Sequence, residues 1–369
     1  MPPTLLCDAC SAAYADTVPR WRCDCGAPLN LEQKPFEVDK LEPLLPSLWR
    51  YRHALSLSDV ADPVSFGEGG TRLLAWRIDK RPVMLKLEYV SPTGSFKDRG
   101  ATTAVTQALS WRVPRLIEDS SGNAGAAMAA YCAYANLPCT IFAPEDAPAA
   151  KLHHIASLGA ELVPVAGTRQ DVANAALASA DSGYYAGHGW NPFFLEGTKT
   201  FAFELAEQLG ALTPAAVFFP VGNATLLLGA WLGFRQLREA KLIPRLPKVF
   251  AVQAAHCAPL AAARAGRTEA LAPRDTLADG LKVQQPPRLK QILQAVEESG
   301  GEVITVPEDE ILLDWRLLCN NGFFVEPTSA VVVSAFRRTE ALPQEDGPVV
   351  LALTGSGMRT RPEVLAGEL

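Results

Sequence analysis

Val83-Met-Leu-Lys-Leu87, with Ser91-Pro-Thr-Gly-Ser-Phe-Lys-Asp-Arg-Gly100 behind it, reads as an apolar strand, a Pro/Gly turn and a helix that begins near Ser95. The same alternation of short β-type run and longer helical segment continues along the chain. Further strand candidates are Leu116 to Glu118, Cys139 to Phe142, Glu161 to Val165, Tyr184 to Ala186, Val217 to Phe219, Val249 to Gln253, Val303 to Val306 and Val349 to Leu353. Helical patterns fall between them at Ala124 to Ala135, Ala149 to Leu158, Asp171 to Ala180, Thr198 to Leu209, Leu226 to Ala240 and Thr328 to Arg338. Such alternation predicts an α/β fold with mostly parallel sheets and right-handed crossovers. Nine strands exceed what one small doubly wound sheet carries, so two doubly wound, three-layer α/β domains facing a shared cleft are expected. Ala254 to Gln285, with Pro259 and Pro273 inside it and Pro286 and Pro287 beside it, breaks the rhythm and reads as irregular.

The 369 residues suffice for about two or three domains with a ligand-sized cleft. Hydrophobic residues make up 48% and charged residues 20%, with 34 bases against 40 acids, which argues against a disordered or fibrous chain and against a polyanion-binding one. The most apolar stretch, Ala215 to Phe234, carries Pro220, Gly222, Asn223 and Thr225 in its middle. It therefore reads as buried strand, tight loop and buried helix rather than a membrane span. The first basic residue is Arg20, so the positive flank of a secretory signal is missing and a cytoplasmic protein is expected.

Four of the eight cysteines crowd into the first 25 residues. Cys7 and Cys10 form a C-x2-C, Cys23 and Cys25 form a C-x-C before Gly26, and twelve residues separate the pairs. Two knuckles brought together would supply four thiolates, the tetrahedral set of a structural zinc. Free or redox-active thiols are the competing reading, although Asp8 and Asp24 beside the sulfurs disfavour thiolates without a metal. Residues 1–32 are thus expected as a zinc-ribbon-like segment. Its Arg20 and Arg22 stand against Asp8, Asp16 and Asp24, which disfavours a nucleic-acid role. Cys132, Cys139, Cys257 and Cys319 are isolated in apolar surroundings and read as core.

Lys97 falls in the first turn of its helix, where the positive end of the dipole disfavours a second positive charge. A lysine able to shed its proton can form a Schiff base; a solvated surface lysine is the plain alternative. The segment Ser91 to Gly100 resembles the cofactor-lysine motif of threonine synthases, in the fold type II family of pyridoxal-phosphate enzymes. Other segments match in that family's order: Ser120-Ser-Gly-Asn-Ala-Gly125, Leu195-Glu-Gly-Thr-Lys-Thr200, Val221-Gly-Asn-Ala-Thr225, Glu326-Pro-Thr-Ser-Ala330 and Thr354-Gly-Ser-Gly-Met358. The resemblance implies pyridoxal phosphate in the cleft between the domains, with Lys97 as its lysine and as the base for the α-proton. It implies a phosphate-holding loop of Gly222, Asn223, Ala224 and Thr225, poorer in glycine than is common in the family. Asn123 would donate to the cofactor's phenolic oxygen, and Thr354 would meet the pyridine nitrogen, with Ser356 as a competing candidate. A neutral hydroxyl there leaves a weaker electron sink than a carboxylate, which suits elimination and replacement better than transamination. Domain boundaries are placed at 33–100 with 195–369 for the larger, cofactor-binding domain and 101–194 for the smaller one. A small amino-acid substrate, no membrane and a homodimer are the expected partners.

In threonine synthases the substrate is phosphohomoserine. The family's phosphate-binding Asn-Ser pair and Arg align here with His188, Gly189 and Phe194, and Ala124 stands where a hydroxyl residue often follows the Asn. Ser121, Ala124, His188 and Phe194 are the candidate substrate positions. An aromatic ring cannot replace a guanidinium fork. Lys199, Arg169 or His188 could compensate, and His188 could instead be structural. The expected activity is a threonine synthase-like elimination or replacement, phosphohomoserine giving threonine and phosphate. A threonine/serine-type deaminase or β-replacement enzyme on an unphosphorylated amino acid is its rival. A catalytically silent binding protein on the same fold is the reading from another class, and the intact Lys97, Asn123 and Thr354 weigh against it.

Overall fold

The computed structural model describes residues 3–58, 62–210, 212–267, 274–340 and 347–360. Pro273, inside the expected irregular stretch, lies outside the described residues. Contacts divide the chain into two units, Met1–Gly69 with Lys97–Thr200 and Gly70–Phe96 with Phe201–Leu369. Residues 33–69 thus group with the first unit, whereas the boundaries read from sequence placed them in the larger domain. Strands and helices are numbered along the chain.

The first unit opens with a small antiparallel sheet in which β1 (Thr4–Leu6) pairs with both β2 (Ala13–Ala15) and β3 (Asn30–Leu31). Its main sheet has four parallel strands in the order β8 (Glu161–Val165), β7 (Cys139–Pro144), β6 (Leu116–Glu118), β9 (Tyr184–Tyr185). Helices α1 (Lys97–Ser110), α2 (Asn123–Tyr134), α3 (Ala149–Ser157) and α4 (Arg169–Ala178) belong to it. α4 starts on a capping box in which Thr168 accepts from the Asp171 amide and Asp171 accepts from the Thr168 amide. The core joins Leu116 and Ile141 of the sheet to Met128 and Tyr131 of α2, Ala104 of α1, and Phe194.

In the second unit the order is β12 (Val303–Val306), β11 (Lys248–Ala254), β10 (Ala216–Pro220), β13 (Val349–Leu353), β5 (Arg81–Leu87), β4 (Leu73–Ile78). All neighbours are parallel except β4 with β5, a hairpin whose turn residues Asp79 and Lys80 both have positive φ, +50° and +68°. Left-handed conformation at both positions matches strand twist, and such turns usually carry Asn-Gly or Asp-Gly. The buried strands are apolar because they pack into a shared core: Phe218 and Phe250 stack at 4.3 Å, and α10 (Pro327–Arg338) lays Val331, Val332 and Ala335 into it. The remaining helices are α6 (Thr225–Glu239), α7 (Pro259–Arg264), α8 (Leu289–Glu298) and α9 (Glu308–Asn320). α5 (Pro192–Leu209) runs from the first unit into the second.

Two consequences follow for function. Strand order reverses at β6 and β9 in one sheet and at β10 and β13 in the other, and open α/β sheets take ligands beyond the strand carboxyl ends at such reversals. Ala215 to Phe234 is strand, loop and helix as its composition indicated, and among the described residues no helix is long and apolar enough to cross a membrane.

Candidate active site

In the second unit both strands at the reversal end in a motif noted from sequence. β10 leads into Gly222, Asn223 and Ala224, after which α6 begins at Thr225. A Cβ at Gly222 would come within 2.8 Å of the Gly280 carbonyl oxygen, so only glycine lets the loop approach that backbone. Gly280 in turn donates its amide to Thr328 Oγ1 at 3.1 Å. Part of the irregular stretch, whose role was not legible in the sequence, therefore walls the loop. Ala224 is left-handed, φ +55° and ψ +22°, and its carbonyl accepts the Leu228 amide at 2.9 Å. The turn thus takes a conformation glycine prefers, directly ahead of the N-terminus of α6.

Thr354, at the end of β13, is buried, and its carbonyl accepts the Phe96 amide at 3.1 Å. Its own amide and that of Gly355 both donate to Ser329 Oγ at 3.0 Å. Ser356, its competitor, caps the following turn by accepting from Met358 and donates its amide to Gly94. Ser329 was overlooked within Glu326 to Ala330; a serine one turn into a helix facing a Thr-Gly strand end is the signal that could have found it.

In the first unit Lys97 is the opening residue of α1, directly after Phe96 in the chain. Its Nζ lies 5.8 Å from the centre of the Phe194 ring. Phe194 is fully buried, and a Cβ on Gly100 would fall 2.2 Å from that ring, so the aromatic packs closely against the first turn of α1. Asn123 opens α2, with Gly122 as its N-cap; Ser121 and Asn123 are half-buried and Ala124 is buried. Gly125 is obligatory, since a Cβ there would meet the Ser120 carbonyl oxygen at 1.8 Å.

The reversal of this sheet holds a cluster that sequence reading took up only in part. β6 ends in Glu118, followed by Asp119, both buried. Glu118 Oε2 accepts the His188 amide and Oε1 lies against His188 Nδ1, each at 3.1 Å. Asp119 pairs with Arg169 at 2.8 Å and accepts from the Tyr185 hydroxyl at 3.2 Å. Burial pushes the Glu118 carboxyl up to about 7 despite nearby Arg169, and burial and then Lys97 hold the His188 imidazole well below its usual range. Two adjacent carboxylates ending an apolar strand were the missed signal. Of the three cations that could stand in for the family's arginine, Lys199 is buried on Glu196 at 2.6 Å and donates to Gln33 and the Ala54 carbonyl. Arg169 is held by Asp119, and His188 is disfavoured as a cation.

At the ribbon, the sulfurs of Cys7, Cys10, Cys23 and Cys25 all lie within 4.8 Å of one another, with Cys7 to Cys25 at 3.6 Å and Cys10 to Cys23 at 3.5 Å. Tetrahedral thiolates about 2.3 Å from a zinc stand roughly 3.8 Å apart, so the donor set fits one. All eight cysteines are free, and the Tyr14 hydroxyl sits 3.1 Å from Cys23 Sγ.

Strand-end loops at sheet reversals are where open α/β folds take their ligands. The chain belongs to the family described as Pyridoxal-phosphate dependent enzyme, matched over residues 64–355, with the fold type II architecture. Within it the chain is similar to threonine synthases: that of Methanocaldococcus jannaschii is 32% identical over 372 residues, covering 96% of this chain and 92% of the relative. A solved threonine deaminase from T.th. superposes with a TM-score of 0.65 at 28% identity, covering 79% of this chain and 94% of that one. A pyridoxal 5'-phosphate-dependent aspartate racemase gives 0.67 at 24% identity, covering 78% and 90%, a likeness of fold. The protein is a pyridoxal-phosphate-dependent lyase of threonine-synthase-like type.

Proposed function

We propose that this enzyme removes the side-chain hydroxyl of a small, unphosphorylated hydroxy amino acid, the product decaying to a keto acid and ammonia. The observation that carries this is the state of the cations in the first unit. Phe194, buried, stands where the resemblance places the phosphate-binding guanidinium, Lys199 is paired with Glu196, and Arg169 is paired with Asp119. A phosphomonoester dianion is gripped best by charged, forked donors, and these cations already hold carboxylates of their own.

The residues present suit pyridoxal phosphate. Gly222, Asn223, Ala224 and Thr225 at the start of α6 would hold its phosphate, Asn123 its phenolic oxygen, Thr354 its ring nitrogen and Lys97 its aldehyde carbon. When bound, the cofactor supplies an electron sink for the pair left at Cα. Lys97 takes the α-proton, and Ser121 and the α2 amides orient the substrate carboxylate. The Ser329 contacts hold Thr354 in place, with no carboxylate hydrogen-bonded to it among the described residues.

A second reading, threonine synthase proper, is favoured by the 32% identity that spans nearly the whole chain. Holoenzyme offered serine, threonine, homoserine and phosphohomoserine, with ammonia, keto acid and phosphate assayed together, separates the two. Phosphate release with threonine formation would replace the first reading by the second. Lys97→Ala should abolish turnover and the absorbance of the lysine-bound cofactor in either case. A cytoplasmic homodimer holding zinc in its ribbon completes the proposal.

A further inference from the structure

Glu118 closes β6 and His188 lies three residues beyond β9, so they flank the strand reversal of the first unit. Glu118 is fully buried and grips His188 twice, at the amide and at Nδ1. The imidazole stands 5.8 Å from the Phe194 ring, and Lys97 Nζ stands 5.8 Å from that same ring. A carboxyl-imidazole pair and the reacting lysine thus border one aromatic ring within one unit, near enough for the lysine charge to act on the imidazole.

We propose that Glu118 and His188 form a proton-delivery pair that protonates the departing side-chain oxygen of the substrate. The inference rests on the hydroxy amino acid reading above, because phosphate leaves as a stable anion whereas hydroxide must be protonated to leave. Lys97 takes the α-proton, and the electron pair left at Cα forms the carbon–carbon double bond. The Cβ–O bond breaks with its electrons on oxygen, the oxygen takes the proton from His188 Nε2, and Nδ1 takes the proton from the Glu118 carboxyl. Water departs, and Glu118 and Lys97 reset through solvent. His188 is the catalytic residue and Glu118 the positioning residue that refills it.

The groups facing the pair are Asp119 beyond β6, Lys97 on α1, Arg169 on α4 and Tyr185 on β9. Burial keeps the Glu118 carboxyl protonated up to about 7 and disfavours an imidazolium, so the pair holds one transferable proton at neutral pH. Turnover of a hydroxyl substrate accordingly falls as pH rises through about 7.

The test compares serine with β-chloroalanine, whose chloride leaves unprotonated, using holoenzyme of wild type, His188→Asn and Glu118→Gln. For His188→Asn, kcat on serine falls about 100-fold or more while β-chloroalanine turnover and the spectrally titrated serine Kd stay within about threefold. Glu118→Gln loses the alkaline limb near 7. Histidine 15N spectra of the cofactor-free wild type, from about pH 5 to about 9, show one imidazole responding with a midpoint near 7 that disappears in Glu118→Gln. Equal losses on both substrates, or a pH-independent imidazole, overturn proton delivery while leaving the substrate reading standing. Wild type that processes β-chloroalanine but releases no ammonia from serine, threonine or homoserine overturns the substrate reading itself.

Discussion

Ser329 Oγ accepts the amides of Thr354 and Gly355, both at 3.0 Å, and lies 3.4 Å from Thr354 Oγ1. One hydroxyl on α10 thus fixes the strand end assigned to the pyridine nitrogen. Ser329→Ala leaves two buried amides without that acceptor, which costs about 1–3 kcal/mol. We expect a lower melting temperature and about tenfold weaker pyridoxal phosphate binding, measured by absorbance titration of stripped protein. Unchanged affinity would remove Ser329 from the site.

The loop before α6 makes a paired prediction. Ala224 sits at φ +55°, where an L side chain costs roughly 1 kcal/mol, so Ala224→Gly should raise stability by about that much or less in chemical denaturation. Gly222→Ala should do the opposite and loosen cofactor binding, because its Cβ meets the Gly280 carbonyl oxygen at 2.8 Å. Opposite signs at positions two residues apart separate backbone strain from crowding; equal signs would mean the loop is conformationally slack.

How much of this was legible follows from where the signals are local. Leu116 to Glu118, Glu161 to Val165, Val303 to Val306 and Val349 to Leu353 match their strands residue for residue, because each is a short run rich in β-branched and apolar residues with clear stops, whether buried inside its sheet or half-exposed at the edge. β4 escaped because Leu73–Ile78 alternates weakly and its turn is Asp79-Lys80, without the glycine that marks such hairpins. α9 carried Glu308, Asp309 and Glu310 in its first turn and could have been read from them. The junctions ahead of Asn123 and Thr225 were legible, since each strand-ending motif leads into a helix there. The Glu118 to His188 pairing joins residues 70 apart in sequence and was not, since nothing local ties the two together.

Phe194 invites a restoring substitution that the packing forbids. Its ring is fully buried against Gly100 and borders the core of the first unit. Phe194→Arg would bury a guanidinium with Lys97 as its neighbour, at a cost of about 3–5 kcal/mol. The expected outcome is a marked loss of soluble, folded protein without new phosphohomoserine binding. A stable variant that binds the phosphorylated substrate would show that the ring occupies a substrate position.

Trp21 of the ribbon makes edge contacts with Tyr185 at 5.0 Å and Trp190 at 5.5 Å, on either side of His188 in the chain. If four thiolates hold zinc, protein produced with zinc available carries one ion per chain by elemental analysis, and Cys10→Ser reduces it. Metal loss should also red-shift tryptophan emission and expose residues 3–32 to protease, because so small a sheet lacks a core of its own. Metal-free protein with unchanged emission would assign the cluster to free thiols.

Asp16, just past β2, is buried, and its Oδ2 accepts from Gln107 Nε2 at 2.8 Å and from the Ser58 hydroxyl at 3.0 Å. Burial raises its carboxyl to about 6, and those donors only partly offset it. The folded pKa therefore lies above the unfolded value of about 3.9, so between these values the folded state binds more protons and stability falls as pH rises. The contribution is complete below about 4 and lost above about 6. Asp16→Asn cannot titrate, so it should gain on wild type by on the order of 1–2 kcal/mol between pH 5 and pH 7.5 in denaturant unfolding. A stability difference between the two proteins that is the same at both pH values would mean that Asp16 stays ionised throughout and that its two donors outweigh its burial.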